Sequence, residues 1–167
     1  MALVKYNNNS ISAITTAGQL ASGSMVLITE QTASSSSTLS FVHGSSDVVL
    51  DSTYPIYMFK FINIHPATDN VRFQYNGSID SGSNYNVTKT STAFYAYHNE
   101  SDSDSTLAYS AGGDLAQSTS FQNLTEATGN DNDQSCSGTL HLFNPSSTTF
   151  VKHWLSTDGC ILIILNK

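Results

Sequence analysis

The segment Pro55–Pro66 (PIYMFKFINIHP) decides the fold class of this chain. Seven of the ten positions between the two prolines are apolar or aromatic. Aromatic and β-branched residues favour extended chain, and proline at both ends argues against a helix, so the segment predicts a strand. Because its apolar residues do not alternate with polar ones, we expect a long strand that is covered on both faces.

Patterns of shorter strands follow this segment. Val71, Phe73 and Tyr75 alternate with polar residues, which predicts a half-buried strand. Asn84–Tyr97 (NYNVTKTSTAFYAY) predicts one long strand or two short ones. Thr106–Ser110 predicts a further short strand, which follows an acidic loop.

The second half of the chain predicts a hairpin. Gly138–Asn144 (GTLHLFN) and Thr148–Leu155 (TTFVKHWL) are strand-like and are separated by Pro145 and two serines. Glu126–Ser137 has almost no core-forming residue and predicts a loop, and Ile161–Leu165 predicts the last strand. Ser118–Leu124 fits either a strand or the start of a helix.

Two regions precede the deciding segment. Met1–Ser24 is polar without a sustained period and predicts an N-terminal arm or attachment segment. Met25–Thr29 (MVLIT) and Thr38–Val42 predict strands. Together these patterns give about nine or ten short strands between polar loops, which is typical of an all-β, antiparallel, jelly-roll-like β-sandwich over residues 25–167.

Composition and charge limit the classes of partner and the cellular location that we expect for this chain. Hydrophobic residues make up 39% of the 167 residues and charged residues only 11%, with a formal net charge of −7. An acidic chain repels phosphate backbones, so we expect no nucleic-acid partner. No apolar run approaches the roughly 20 residues of a membrane helix, and Met1–Asn9 lacks the pattern of a signal peptide. We expect neither membrane insertion nor export by the ordinary route.

The two cysteines, Cys136 and Cys160, leave two alternatives open: a disulfide, if the fold brings them together, or two free thiols in a reducing compartment. A zinc site that combines them with His141 and His153 lacks the short ligand spacings that such sites show. We therefore expect no metal and no cofactor.

Two pairs of acidic residues lie in predicted loops. Asp102 with Asp104, and Asp131 with Asp133, offer oxygen ligands of the kind that calcium prefers. Neither pair belongs to the spaced ligand series of a calcium loop, and short Asp/Asn runs are usually solvated turns. The turn is the favoured interpretation.

The sequence shows no strong motif of catalytic residues. The strained Gly-x-Ser-x-Gly turn of nucleophilic serines does not occur. A glycosidase needs two carboxylates opposed across a cleft, and Glu30, Glu100 and Glu126 show no sign of such placement. We predict that the chain is not an enzyme.

A set of aromatic residues could contact a host sugar or receptor. Tyr95, Tyr97 and His98, beside Phe94, could form a platform on which sugar rings stack. Core packing is the favoured alternative, because alternate rings of a strand must also fill a core.

Three segments resemble a known family: Tyr57–Asn70 (YMFKFINIHPATDN), Gly129–Ser135 (GNDNDQS) and Gly138–His153 (GTLHLFNPSSTTFVKH). They resemble small β-rich virion proteins, structural or tail-fibre components, of tailed phages that infect marine and freshwater bacteria. The resemblance covers most of Met25–His153 and departs from the family at Leu155–Lys167. It implies trimeric, β-rich parts of a virus particle, and it carries no catalytic residues over.

The leading hypothesis is a non-enzymatic structural component of a phage virion, in the tail fibre or on the capsid surface, made in the host cytoplasm. Its expected partners are further copies of itself, most simply as a homotrimer, other virion proteins, and a host surface glycan or receptor. The alternative is a carbohydrate- or receptor-binding module at a fibre tip.

Overall fold

The computed structural model describes residues 25–99 and 101–161. The chain divides into two units, Met1–Thr32 and Ala33–Lys167. The predicted arm Met1–Ser24 lies outside the described residues. In the first unit, the predicted strand Met25–Thr29 is wrong, because residues 25–32 have no regular secondary structure and the side chains of Met25–Leu27 are exposed.

The second unit is all-β wherever the structure describes it, which confirms the predicted class. Its seven strands are β1 (Ile56–Ile64), β2 (Gln74–Tyr75), β3 (Phe94–His98), β4 (Ser105–Tyr109), β5 (Gln122–Asn123), β6 (Ser135–Phe143) and β7 (His153–Ile161). They form three antiparallel sheets, with strand orders β1-β6-β7, β2-β5 and β3-β4. Within residues 25–99 and 101–161, no helix is long and apolar enough to cross a membrane.

The three-stranded sheet contains the predicted long strand and the predicted hairpin. β6 pairs with β7 from Ser135↔Ile161 to Phe143↔His153, and its other edge pairs with β1. β6 therefore begins inside the predicted loop Glu126–Ser137. Strand β7 begins later than predicted, at His153, because residues 144–152 form a connection that is closed by turn hydrogen bonds such as Ser147 N to Asn144 O (3.2 Å). Of the predicted strand Ile161–Leu165, residues 162–165 lie outside the described part.

One face of this sheet, here called the inner face, is covered by rings from other segments. Phe41 packs against Phe59 with ring centroids 5.5 Å apart. Phe73 packs against Phe61 at 4.9 Å, and Tyr75 packs against Trp154 at 5.1 Å. Tyr57 and Leu140 on the same face are buried. The small apolar core of the second unit lies here.

The expectation that Pro55–Pro66 is covered on both faces is wrong for the described residues. Along β1, the buried or half-buried Tyr57, Phe59 and Phe61 alternate with exposed residues that point to the opposite, outer face. Strand geometry sends successive side chains to opposite faces, and the covering segments reach only one of them.

A β-bulge ends the regular part of β1. The register with β6 shifts between Phe61 and Ile64, and Asn63 adopts a left-handed conformation with φ of 53°. Its backbone N–H donates to Ser137 Oγ at 3.0 Å in place of a ladder bond. Asparagine tolerates this conformation better than most residues, so the sequence suits the bulge.

Polar side chains fill much of the remaining interior. In the described part of the chain, the buried apolar residues are Val48, Tyr57, Cys136 and Leu140, and the buried polar ones are Lys89, Ser110, Gln122, Thr125, Thr128 and Gln134. No buried side-chain nitrogen or oxygen among the described residues lacks a hydrogen-bond partner. Hydrogen bonds from side chains to loops therefore organise the region between the sheets.

The shorter strands agree with the sequence in part. Val71, Phe73 and Tyr75 are half-buried while Arg72 and Gln74 are exposed, which confirms the predicted alternation. The ladder itself is short, because β2 contains only Gln74 and Tyr75. Of the predicted strand Asn84–Tyr97, the C-terminal part belongs to β3, and Lys89 contributes an isolated bridge to Ser118. Thr38–Val42 forms no strand.

Candidate interaction surface

The outer face of the three-stranded sheet presents large apolar side chains to solvent. The register places Ile56, Phe143 and His153 in one row across β1, β6 and β7, and Met58, His141 and Leu155 in the next row. Ile56 is 50% exposed, Met58 40% and Leu155 59%. The two rows together are called the outer patch below.

The outer patch differs from the scattered apolar residues that any protein exposes. Its members are adjacent on paired strands, so their exposed areas join into one patch. Beside it, a third row contains Lys60, Thr139 and Thr157. No aspartate or glutamate lies on this face among the described residues, although the whole chain has 13 acidic residues. Such a surface is suited to burial against another apolar surface.

His141 and Phe143 shape the middle of the outer patch. Their rings stack with centroids 6.4 Å apart and an interplanar angle of 20°, and both are half-buried. Met58 and Leu155 flank this pair of rings on the two neighbouring strands. Paired rings between two exposed apolar side chains favour contact with another apolar surface.

The hairpin β3–β4 carries the second aromatic surface. Phe94 pairs with Tyr109, their rings meeting edge to face at 5.4 Å, and Leu107 lies on the same face. Phe94 is 70% exposed and Leu107 79%. This face, the hairpin platform, could hold a flat apolar ligand surface such as a sugar ring.

The structure divides the predicted contact residues between the two faces of this hairpin. Tyr95 and Tyr97 stack on one another at 6.3 Å, with an interplanar angle of 8°, on the face opposite the hairpin platform. Tyr97 donates to Asp104 at 2.6 Å, and that hydrogen bond raises the pKa of the tyrosine. His98 lies on the platform side with its ring 2.8 Å from the carboxylate of Asp102. The three residues therefore do not form one surface.

Sequence reasoning missed Tyr109 as a platform residue. A period of two shows that Phe94 and Tyr95 point to opposite faces but does not show which face is exposed. The available signal was the pairing of Asn84–Tyr97 with Thr106–Ser110 across the short acidic loop, which places Tyr109 opposite Phe94.

The geometry separates the residues of the rejected zinc site. His141 and His153 lie on the outer face, whereas Cys136 and Cys160 lie on the inner face toward the other end of the sheet. Among the described residues, no three or more of the types His, Cys, Asp and Glu are grouped so that they could hold a metal ion.

The acidic loops use their oxygens internally. Asn99 Oδ1 accepts from the backbone N–H groups of Ser103 and Asp104, both at 3.0 Å, which closes the loop between β3 and β4. In the other loop, the backbone N–H of Gln134 donates to the backbone oxygen of Asp131 at 2.9 Å. These are ordinary turn contacts, in agreement with the favoured interpretation of both pairs.

The carboxylates considered for catalysis are in different settings. Glu126 forms an ion pair with Arg72 at 3.2 Å and accepts from Ser110 Oγ at 2.6 Å. Glu30 is exposed in the first unit, and Glu100 lies outside the described residues. That the chain is not an enzyme stays a prediction.

No protein-family model, curated protein or solved structure matches this chain. The resemblance to phage virion proteins therefore stays a prediction. Arguments about function rest on the two exposed apolar surfaces, the outer patch and the hairpin platform.

Proposed function

We propose that this chain is a non-enzymatic structural subunit of a phage virion, in the tail fibre or on the capsid surface, that associates with copies of itself through the outer patch. The outer patch is the observation that carries the proposal. Burying a large aliphatic side chain contributes roughly 1.5–3 kcal/mol, so partial burial of Ile56, Met58 and Leu155 contributes a few kcal/mol for each copy. The sequence resemblance supports two further parts of the proposal, the location in a virion and the homotrimeric state.

The jelly-roll-like sandwich within one chain stays a prediction, and association of copies supplies a second layer for the three-stranded sheet. Two antiparallel sheets pack face to face at about 10 Å, with side chains from both facing sides forming one core. In the proposed assembly, the outer patch meets the apolar surface of another copy, so that β1 becomes covered on both faces. The high apolar content of Pro55–Pro66 supports this arrangement.

A charge placed in the outer patch tests the proposal. Leu155→Asp puts a carboxylate at the centre of the proposed interface, where burial without a partner costs several kcal/mol. Ile79→Asp is the matched control, because Ile79 is 89% exposed and lies outside the three-stranded sheet. Sedimentation velocity is expected to show an oligomer for the wild type and for Ile79→Asp, and a monomer with unchanged β circular dichroism for Leu155→Asp.

Two results contradict the proposal at different points. A wild-type chain that is monomeric at tens of micromolar rules out self-association. An oligomer that survives Leu155→Asp places the interface elsewhere. The virion location is tested separately, by locating the chain with a specific antibody in purified particles.

The hairpin platform favours a second candidate function, contact with a host glycan or receptor. Phe94 and Tyr109 present an exposed apolar surface of the kind on which sugar rings stack. In a glycan-array screen followed by calorimetry, Phe94→Ala should weaken binding by about tenfold, since one ring contact is worth roughly 1.4 kcal/mol. Phe121→Ala, which removes an exposed ring outside this hairpin, should bind like the wild type. Equal losses in both variants contradict this candidate.

A further inference from the structure

The two cysteines lie directly opposite each other on neighbouring strands. Cys136 of β6 is the register partner of Cys160 of β7, and both side chains are on the inner face. Directly opposed residues of an antiparallel pair have Cα atoms about 4.5 or 5.5 Å apart, according to their place in the ladder, and a disulfide requires roughly 4.4–6.8 Å. Both spacings satisfy the requirement, so the backbone already holds the pair within bridging distance.

The surroundings give the two thiols different reactivity. Both are free, with Cys136 buried and Cys160 half-buried. A hydrogen bond from Cys136 lowers the pKa of Cys160 to about 7, and hydrogen bonds from Thr128 and Thr125 act in the same direction. The Thr128 hydroxyl lies 3.7 Å from the Cys160 sulfur. The hydrogen bond with Cys160, together with burial, raises the pKa of Cys136.

Asp158 is a further titratable group beside the pair, and it opposes ionisation of both thiols. Burial raises the pKa of its carboxyl, and Ser156 donates a hydrogen bond to that group. The net effect still leaves Cys160 as the thiol that ionises first. It is also the more accessible of the two.

We propose that Cys136 and Cys160 are a modification site, which converts to an intramolecular cross-strand disulfide by reaction with a small-molecule disulfide such as oxidised glutathione. The Cys160 thiolate attacks one sulfur of the oxidant, forming a mixed disulfide and releasing one glutathione thiolate. Cys136 then loses its proton to solvent and attacks the Cys160 sulfur, and the second glutathione thiolate leaves. The protein gives up two electrons and two protons, and the oxidant takes them up as two thiols.

One copy of the chain supplies both sulfurs, so the reaction does not require self-association and does not rest on the proposed function. The disulfide would tie β6 to β7 at the end of the sheet where β7 reaches Ile161. A crosslink between distant parts of a chain stabilises mainly by restricting the unfolded state. The melting temperature of the oxidised chain should exceed that of the reduced chain by on the order of 10 °C.

The experiment treats the reduced full-length chain with oxidised glutathione at pH 7 under native conditions. Thiol titration should show the loss of both thiols, and intact mass should fall by two hydrogens. Electrophoresis without reductant should show a single chain, and a phosphine reductant should restore both thiols and the lower melting temperature. Unreacted thiols, a lasting glutathione adduct on the wild type, or a disulfide between two chains each overturn the proposal.

Single substitutions test the order of the two steps. Cys136→Ser keeps a hydrogen-bond donor beside Cys160 but removes the second sulfur, so its reaction should stop at the mixed disulfide. Cys160→Ser leaves only the buried thiol of raised pKa, which should react at least about tenfold more slowly. Equal rates for the two variants would show that Cys160 is not the first nucleophile. Disulfide formation is judged on the wild-type chain alone. Reduced stability of a variant therefore does not affect that result.

Discussion

Gln122 is 1% exposed, and its side-chain amide joins three segments of the chain. Its Oε1 accepts from Ser91 Oγ at 2.6 Å, and its Nε2 donates to the backbone oxygens of Gly113 at 2.6 Å and Asn123 at 2.8 Å. The Ser91 hydroxyl in turn accepts from the backbone N–H of Leu115 at 2.9 Å. A single amide thus organises a region that has few buried apolar side chains.

We expect Gln122→Leu to lower the free energy of unfolding by about 2–4 kcal/mol. The substitution leaves the Gly113 carbonyl and the Ser91 hydroxyl without this partner, and each lost partner costs roughly 1–3 kcal/mol, partly offset by the leucine side chain. Gln74→Leu is the control, since Gln74 is exposed and bonds only to Asn123 at 2.6 Å; its effect should stay below about 1 kcal/mol. Urea unfolding measures both. Equal effects would contradict the role assigned to the buried amide.

The hydrogen-bonded carboxylate of Asp80 should make the folded protein less stable in acid. Its carboxylate accepts from Ser78 Oγ at 2.6 Å and from the backbone and side-chain nitrogens of Asn84 at 2.8 and 2.6 Å. The hydrogen bond from Ser78, with those from Asn84, lowers the pKa of Asp80 from 3.8 to about 2. Because the folded pKa is depressed, this stabilisation is fully present above the unfolded value and is lost as pH falls from about 4 toward 2.

Melting temperatures measured between pH 2 and pH 7 test this expected loss of stability in acid. Asp80→Asn has no carboxylate to protonate, so its melting temperature should fall less steeply than that of the wild type between pH 4 and pH 2. Ser78→Ala removes the largest cause of the shift and should give an intermediate slope. Parallel curves for all three proteins would show that this loop makes no acid-dependent contribution.

Strands β6 and β7 lie close together at Gly138. A Cβ atom at this position would lie 2.7 Å from the backbone oxygen of Thr157 and 2.8 Å from the Cα of Asp158, and it would also contact the Asp158 carboxylate. Backbone atoms cannot rotate away, so an added methyl group must separate the two strands.

Gly138→Ala should therefore destabilise the chain by about 1–3 kcal/mol. Gly112→Ala is the control, because an added Cβ there meets nothing within 4 Å. Chemical denaturation compares the two variants. The Gly138 substitution should also slow disulfide formation between the cysteines, whose register depends on the same strand pair. A Gly138→Ala protein as stable as the wild type would mean that the strands can spread without cost.

The sequence predicts some elements well, for reasons that differ between elements. Pro55–Pro66 and the hairpin of β6 and β7 are recognisable because long aromatic and β-branched runs have few alternatives to a strand. Met25–Thr29 is also rich in β-branched residues and forms no strand, since strand formation needs a pairing partner that local sequence does not specify. Strands β2 and β5 have two residues each, too few for any periodicity to appear.

The candidate surfaces are less predictable than the strands. Local sequence gives the period of β1 and β3 but not which side other segments will cover. The aromatic cover of the inner face comes from Phe41, Phe73 and Tyr75, which are remote in sequence from the rings they contact. For the same reason, the outer patch and the opposition of Cys136 to Cys160 become visible only with the register of the sheet.

At the scale of the whole molecule, apolar area lies on the surface while polar groups occupy part of the interior. The formal charge of −7 is spread over a chain with only 11% charged residues. Like-charged copies repel one another weakly, and dissolved salt screens that repulsion further, with a Debye length of about 3 Å at 1 M. The burial of apolar area does not depend on such charges. An assembly built on the outer patch should therefore persist, or strengthen, at high salt.

The last prediction concerns how the melting temperature depends on protein concentration at low and high salt. If folding and association are coupled through the outer patch, mass action makes the melting temperature depend on protein concentration. We expect a rise of about 2–4 °C for each tenfold increase in wild-type concentration, and no rise for Leu155→Asp. Calorimetry at 0.05 and 1 M sodium chloride should show no loss of the wild-type dependence, because the patch contains Ile56, Met58 and Leu155 and no described acidic residue. If the concentration dependence disappears in salt, ion pairs hold the copies together and the interface lies outside the outer patch.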